Sequence, residues 1–166
     1  MTRSIHVALI NPPYGDWRYS RSQRSPGVIK SGTMYYPYWL AHAGAVLEEA
    51  KYDIWLYDCP AASIRLEILL EELDKRPPNL CILDSSTASS ANDLLVAKAI
   101  RERFPEIRIC MVGTHATALW QETLTKAPWV DFVAIGEFDY VVLDLARSLE
   151  KQEIQWEKIP ALGFRM

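Results

Sequence analysis

Residues 7–15 read VALINPPYG. Four apolar residues and an asparagine run straight into two prolines. Proline has no backbone N–H and a fixed φ, so an extended ladder cannot continue through Pro12 and Pro13. The apolar run reads as a strand that the two prolines bring to an end. The next stretch of chain, from Tyr14 to Tyr36, is polar, basic and aromatic, with no apolar period of its own.

Five short apolar runs recur along the chain, the first of them containing this strand: IHVALI (5–10), DIWLYD (53–58), LCILD (80–84), IRICMV (107–112) and DFVAI (131–135). The middle three read as strands buried on both faces. Amphipathic stretches separate them. WLAHAGAVLEEA (39–50) places Leu40, Ala43, Val46 and Leu47 on one face, and IRLEILLEELDK (64–75) repeats Leu66, Leu69, Leu70 and Leu73 at helical spacing. ANDLLVAKAIRERF (91–104), TALWQETLTKA (117–127) and DYVVLDLARSLEKQ (139–152) complete the series. Pro37 precedes the first helix, Ser63 and Ser90 are candidate N-caps for the second and third, and Pro77-Pro78 and Pro105 end the helices before them. Strand–helix alternation predicts a parallel sheet covered by helices on both faces. The expected fold is α/β: a three-layer, doubly wound, Rossmann- or flavodoxin-like five-stranded parallel sheet of order 2-1-3-4-5.

The 166 residues, 49% hydrophobic and 23% charged, suit one soluble domain. A formal charge of −3 argues against a general nucleic-acid binder. No apolar run is long enough to span a bilayer. Arg3 is followed by only a short apolar run, so no signal peptide is expected. Cys59, Cys81 and Cys110 form no metal-ligand spacing, and two of them sit inside apolar runs. Cys81 and Cys110 are expected to be buried, and all three to be free thiols in a cytoplasmic protein. The last segment, IPALGFRM (159–166), reads as the start of another strand or of a linker that is cut short. The domain proper is therefore expected over 1–158.

In an open parallel sheet, ligands bind beyond the carboxyl ends of the strands, where the strand order reverses. The residues after each run are then the informative ones. They are Asn11-Pro12-Pro13, the SSTASS of 85–90 with Ser85, Ser86 and Thr87 at its front, Gly113-Thr114-His115, and Gly136-Glu137. Glycine and small hydroxyls let a large ligand approach the backbone and bond to it, and the prolines keep the first loop stiff. Neither a P-loop nor a GxGxxG fingerprint is present. Competing uses exist for each group. Ser89 and Ser90 could cap a helix, His115 could be an ordinary loop histidine, and Glu137 could face the positive end of the last helix. His42 reads as packed in its helix, and the tryptophans as packing residues. The 14–36 loop, with Arg18, Arg21, Arg24 and Lys30 among Tyr14, Trp17, Tyr19, Tyr35 and Tyr36, is long for a structureless connection. It could grip a ligand's edge, dock a neighbour, or be solvated surface.

NPP after the first strand, RSPGVIKSGTMYYPYWLAHAGAVLE, DSSTAS after the third, GTHAT after the fourth and GEFDYVVLDLA after the fifth together resemble one family. It is the N-terminal cobalamin-binding domain of cobalamin-dependent radical S-adenosylmethionine enzymes. The resemblance implies a Rossmann-like domain with Asn11, Pro12, Pro13, Ser85, Ser86, Thr87, Gly113, Thr114, His115, Gly136 and Glu137 around the corrinoid. It implies methyl transfer to an unactivated carbon of a small-molecule substrate, with ring contraction or cyclisation in some relatives. The partner would be a radical barrel domain, C-terminal to this one, holding a 4Fe-4S cluster and S-adenosylmethionine outside this chain.

Three departures accompany the resemblance. Asn11-Pro12-Pro13-Tyr14-Gly15 stands where the cobalt-ligating DxHxxG of other cobalamin proteins would begin. Thr114 replaces one of a glycine pair that commonly precedes the histidine. The CxxxCxxC that binds an iron–sulfur cluster is absent from the sequence. The alternative readings are a receiver-like signalling domain, with Asp84 at the acceptor position but no acidic residues after the first strand, a flavin-binding relative, and a cofactor-free interaction domain of the same fold.

Overall fold

The computed structural model describes residues 5–22, 25–31, 33–151 and 155–165. The first apolar run forms β1 (His6–Asn11) and stops at Pro12. The long segment after it contains a two-stranded antiparallel ribbon, β2 (Tyr19–Ser20) and β3 (Gly27–Val28), and so is not structureless. Arg24 lies outside the described residues. The chain continues through α1 (Tyr38–Glu49), β4 (Asp53–Asp58), α2 (Cys59–Ala62), α3 (Leu66–Lys75), β5 (Leu80–Asp84) and α4 (Ser90–Arg103). It then forms β6 (Arg108–Val112), α5 (Thr114–Ala118), α6 (Trp120–Lys126), β7 (Phe132–Ala134) and α7 (Asp139–Lys151). A 3-10 turn (Trp156–Lys158) leads to β8 (Leu162–Phe164).

The main sheet runs β4-β1-β5-β6-β7-β8. Its first five strands are parallel, so the five apolar runs take the expected order 2-1-3-4-5. The expected five-strand count is corrected to six. β8 pairs antiparallel with β7, with Phe132 opposite Phe164 and Ala134 opposite Leu162. Gly163 allows the close fit there, since a Cβ at that position would lie 2.7 Å from the Trp120 ring. DIWLYD is the second correction. It is not buried on both faces but forms the edge strand β4, with alternating exposure and Trp55 at 45%. The run buried in its place is β1, all six of whose residues are enclosed.

Alternate residues of each strand feed two cores. Val7, Leu9, Ile82 and Val112 meet Leu40, Ala43 and Leu47 of α1 and Val142 and Leu145 of α7. Ala8, Ile10, Leu83 and Met111 meet α3, α4 and the α5–α6 pair. Three local expectations change. The fourth helix starts directly after Gly113 and breaks at Leu119, giving α5 and α6. Ser63 takes a left-handed conformation (φ 54°) closing α2 and does not cap α3. Ser90 is the first residue of α4, and its hydroxyl donates to the Thr87 carbonyl. α7 is described to Lys151, and Gln152 lies outside the described residues.

Candidate functional site

Parallel strands place their carboxyl ends on one rim, and every loop singled out in the sequence emerges there. The tips of β5 and β6 are pressed together. Gly113 has φ 97°, and a Cβ on it would come within 2.4 Å of the Ser85 carbonyl and 2.5 Å of Asp84 Oδ1. Only glycine fits that backbone and that approach. Ser85 is buried, and its hydroxyl finds no partner among the described residues. Thr87, Thr114, Gly136 and Glu137 are exposed, and His115 is partly exposed. Gly136 (φ 78°) would have open space around an added Cβ, and its N–H donates to Thr117 Oγ1 at 3.0 Å, tying the β7 tip to α5. Ser85, Gly113 and His115 therefore form one neighbourhood, joined through α5 to Gly136.

Asn11, Pro12, Pro13 and Ser86 are engaged differently. The ribbon segment folds back over the β1 and β5 tips and buries Tyr19, Ser20 and Arg21. The Arg21 guanidinium pairs with Asp93 at the start of α4, the two side chains being 1% and 0% exposed. It also donates to Asn11 Oδ1 and to the Pro12 carbonyl, both at 2.8 Å. Asn11 donates in turn to Asp58 Oδ1 at 2.8 Å, and Asn92 donates to the Pro13 carbonyl at 2.8 Å. Ser89 donates to Asp93 Oδ2 at 2.6 Å and lies 2.8 Å from Ser86 Oγ, which is 3.2 Å from the Tyr19 hydroxyl. Each hydroxyl has one proton, so the chain runs Tyr19 to Ser86 to Ser89 to the Asp93 carboxylate. A buried ion pair is tolerable when its remaining donors and acceptors are satisfied, as they are here.

Asp93 is the buried charged residue that the sequence reading missed. It shares one stripe of α4 with Val96, Ala97 and Ile100, all buried. A carboxylate on an apolar stripe needs a buried cation, and that was the signal to be had. Near it, burial pushes the Asp84 carboxyl up to about 6, with Arg21 opposing the rise and Asp93 adding to it. Burial also pushes the Cys59, Cys81 and Cys110 thiols to about 12, so none supplies a thiolate nucleophile.

His42 is not packed as expected. Its ring is 55% exposed, and Nδ1 lies 2.7 Å from Asp139 Oδ2, joining the first turns of α1 and α7. Tyr35, Tyr36, Tyr38, Trp39 and Tyr140 stand exposed around these turns. Trp17, Trp39 and Trp55 are exposed too, which core packing does not explain. Among the described residues, no group of three His, Cys, Asp or Glu side chains could hold a metal ion. No helix among them is long and apolar enough to cross a membrane.

Residues 24–146 match the family described as B12 binding domain. The chain is 28% identical over 131 residues, 78% of its length, to anaerobic magnesium-protoporphyrin IX monomethyl ester cyclase of Synechocystis sp. (strain ATCC 27184 / PCC 6803 / Kazusa). It is 28% identical over 115 residues to the enzyme of the same name from Cereibacter sphaeroides. The match spans only 26% and 19% of those two proteins. Among solved structures, the apo form of OxsB, a cobalamin-dependent S-adenosylmethionine radical enzyme, superposes with a TM-score of 0.67. That likeness covers 98% of this chain and 21% of the other at 11% identity. The isolated receiver domain of RcsB from Salmonella enterica serovar Typhimurium superposes at 0.55, over 90% of each chain at 14% identity. At such identities both likenesses concern the fold.

Proposed function

The chain belongs to the B12 binding domain family, and from that premise we propose that it seats cobalamin on the tips of β5, β6 and β7 for a radical S-adenosylmethionine domain of the same enzyme. One observation carries the placement: the buried, unpartnered hydroxyl of Ser85 beside the close-packed Gly113. A corrin ring is broad, flat and edged with carboxamides, which both donate and accept. The residues fit such a group. Ser85 and Thr87 offer hydroxyls, Gly113 and Gly136 offer backbone without a side chain in the way, and Thr114, His115 and Glu137 offer polar side chains at the edge. Asn11, Pro12, Pro13 and Ser86 act one layer back, by holding the Tyr19–Arg21 segment in place.

When bound, cobalamin supplies a cobalt–carbon bond that carries a methyl group. The chain's own residues bind and orient the ring. The iron–sulfur cluster and S-adenosylmethionine belong, in this reading, to the remainder of a protein whose relatives are about four to five times the matched length. Methyl transfer to an unactivated carbon of a small molecule is the proposed reaction. Ring closure is the second reading, favoured by the cyclase names of the matched relatives. Isotope-labelled S-adenosylmethionine separates them in the complete enzyme: the label enters the product in methyl transfer and stays out of it in ring closure. A cytoplasmic setting suits three free, buried cysteines. The receiver reading is weakened by Asn11, bonded to Asp58 and Arg21, where magnesium-binding acids would be needed.

The test of the seat is a titration of the 166-residue chain with hydroxocobalamin, followed by absorbance. Saturable one-to-one binding is expected. Thr87 is exposed, so Thr87→Trp should fold normally and weaken uptake at least tenfold; unchanged affinity would place the ring elsewhere.

A further inference from the structure

α1 and α7 pack side by side. Each runs back against the strand direction, so both begin at the carboxyl-end rim of the sheet. Away from the rim their outward residues are ordinary surface: Ala45, Glu48 and Glu49 on α1, Arg147 and Lys151 on α7. At the rim the outward residues turn aromatic. Tyr38 and Trp39 in the first turn of α1, Tyr140 in the first turn of α7, and Tyr35 and Tyr36 on the approach to α1 are 59% to 71% exposed. They belong to one patch. Tyr38 meets Trp39 edge-on with ring centroids 5.1 Å apart, and its ring lies 6.4 Å from that of His42. His42 bonds to Asp139, the neighbour of Tyr140, and so holds the two helix starts together as a single surface.

The two helices pack on the sheet through Leu40, Ala43 and Val142, so the core does not use the five rings. Rings of this size, some three-fifths exposed, present on the order of 600 Å² together. That is comparable with the ~800 Å² that one side of a stable protein interface buries. Tyrosine and tryptophan gather on such surfaces because they offer a large, rigid contact area at low entropic cost. The position of the patch decides what covers it. Asp139 follows Glu137 by two residues, so the patch borders the proposed corrinoid seat. The matched relatives are about four to five times the matched length, and a radical domain that uses the cobalt must come down on this rim. The patch offers four phenol hydroxyls and an indole N–H, while His42 and Asp139 are paired with each other. Its complement is therefore an apolar protein face with hydrogen-bond acceptors, and not a charged one.

Resting on the proposed function, we propose that this aromatic patch is the surface on which the radical S-adenosylmethionine domain of the same enzyme docks, protein on protein, whether or not a corrinoid is bound. The test is hydroxyl-radical footprinting read by mass spectrometry, on the 166-residue chain and on the complete enzyme, both free of corrinoid. Trp55, exposed on the β4 edge away from the rim, serves as the internal reference. Labelling of Tyr38, Trp39 and Tyr140, relative to Trp55, should be at least threefold lower in the complete enzyme; a smaller difference overturns the proposal. Protection that grows with the concentration of the 166-residue chain assigns the patch to a second copy and overturns it too. Hydroxocobalamin is then added to the 166-residue chain. If the corrinoid alone protects the three residues threefold, the patch is part of the seat and the docking surface falls. If the chain takes up no hydroxocobalamin but the complete enzyme still shows protection, the seat falls and the docking surface stands.

Discussion

Asp84 and Asp93 are two carboxylates on the same rim with opposite surroundings. Asp93 has a guanidinium, a hydroxyl and an amide directed at it. Asp84 has the crowded Gly113 backbone on one side and feels Arg21 only from a distance, so burial dominates and its carboxyl rises from 3.8 to about 6. A carboxyl raised in the folded state favours folding most when protonated. Its contribution is therefore fully present below about 3.8, fades as pH rises through 6, and is gone at neutral pH. Asp84→Asn keeps the shape and removes the charge, and it should stabilise the chain at about pH 7.5 by on the order of 2 kcal/mol. At about pH 4 the gain should vanish. Urea midpoints of both proteins at the two pH values check this; an equal gain at both would mean that the carboxylate is well solvated or paired.

The β6–α5 junction does for its two elements what no single side chain does. It turns a buried strand into a helix within one residue and brings the β5 and β6 tips together. Gly113→Ala would add a Cβ at positive φ against the Ser85 backbone, which has no flexible atom to move aside. Backbone strain alone costs about 1–3 kcal/mol. The expected result is a urea midpoint lowered accordingly, with weakened corrinoid uptake; wild-type stability would show that the strand tips part easily. These elements were legible in the sequence because β1, β5 and β6 are near-continuous apolar runs with punctuation at both ends. The β2–β3 ribbon was not. Its strands are two residues each, and its burial depends on Arg21 meeting Asp93, 72 residues further along. β4 misled for a related reason: Ile54, Trp55 and Leu56 look like core, but only pairing reveals which strand has an open side. His42 paired with Asp139 across 97 residues had no local signature either.

Taken across its described elements, the chain is a packed scaffold with an unfinished rim at its strand tips. Among the described residues two cores pack against the sheet, and the unpartnered Ser85 hydroxyl and open Gly136 lie at the β5–β7 tips. A ligand that finishes such a rim should bind the folded chain and not the unfolded one, so it must raise the melting temperature by mass action. At a corrinoid concentration about a hundred times its dissociation constant, the gain is about 2.7 kcal/mol. For a chain of this size that corresponds to a rise of about 5–10 °C. It should persist in moderate salt, because a neutral ring held by hydroxyls and amides feels little screening. Differential scanning calorimetry at several corrinoid concentrations measures this. A melting temperature that stays flat across them would mean that the rim's open donors serve another partner.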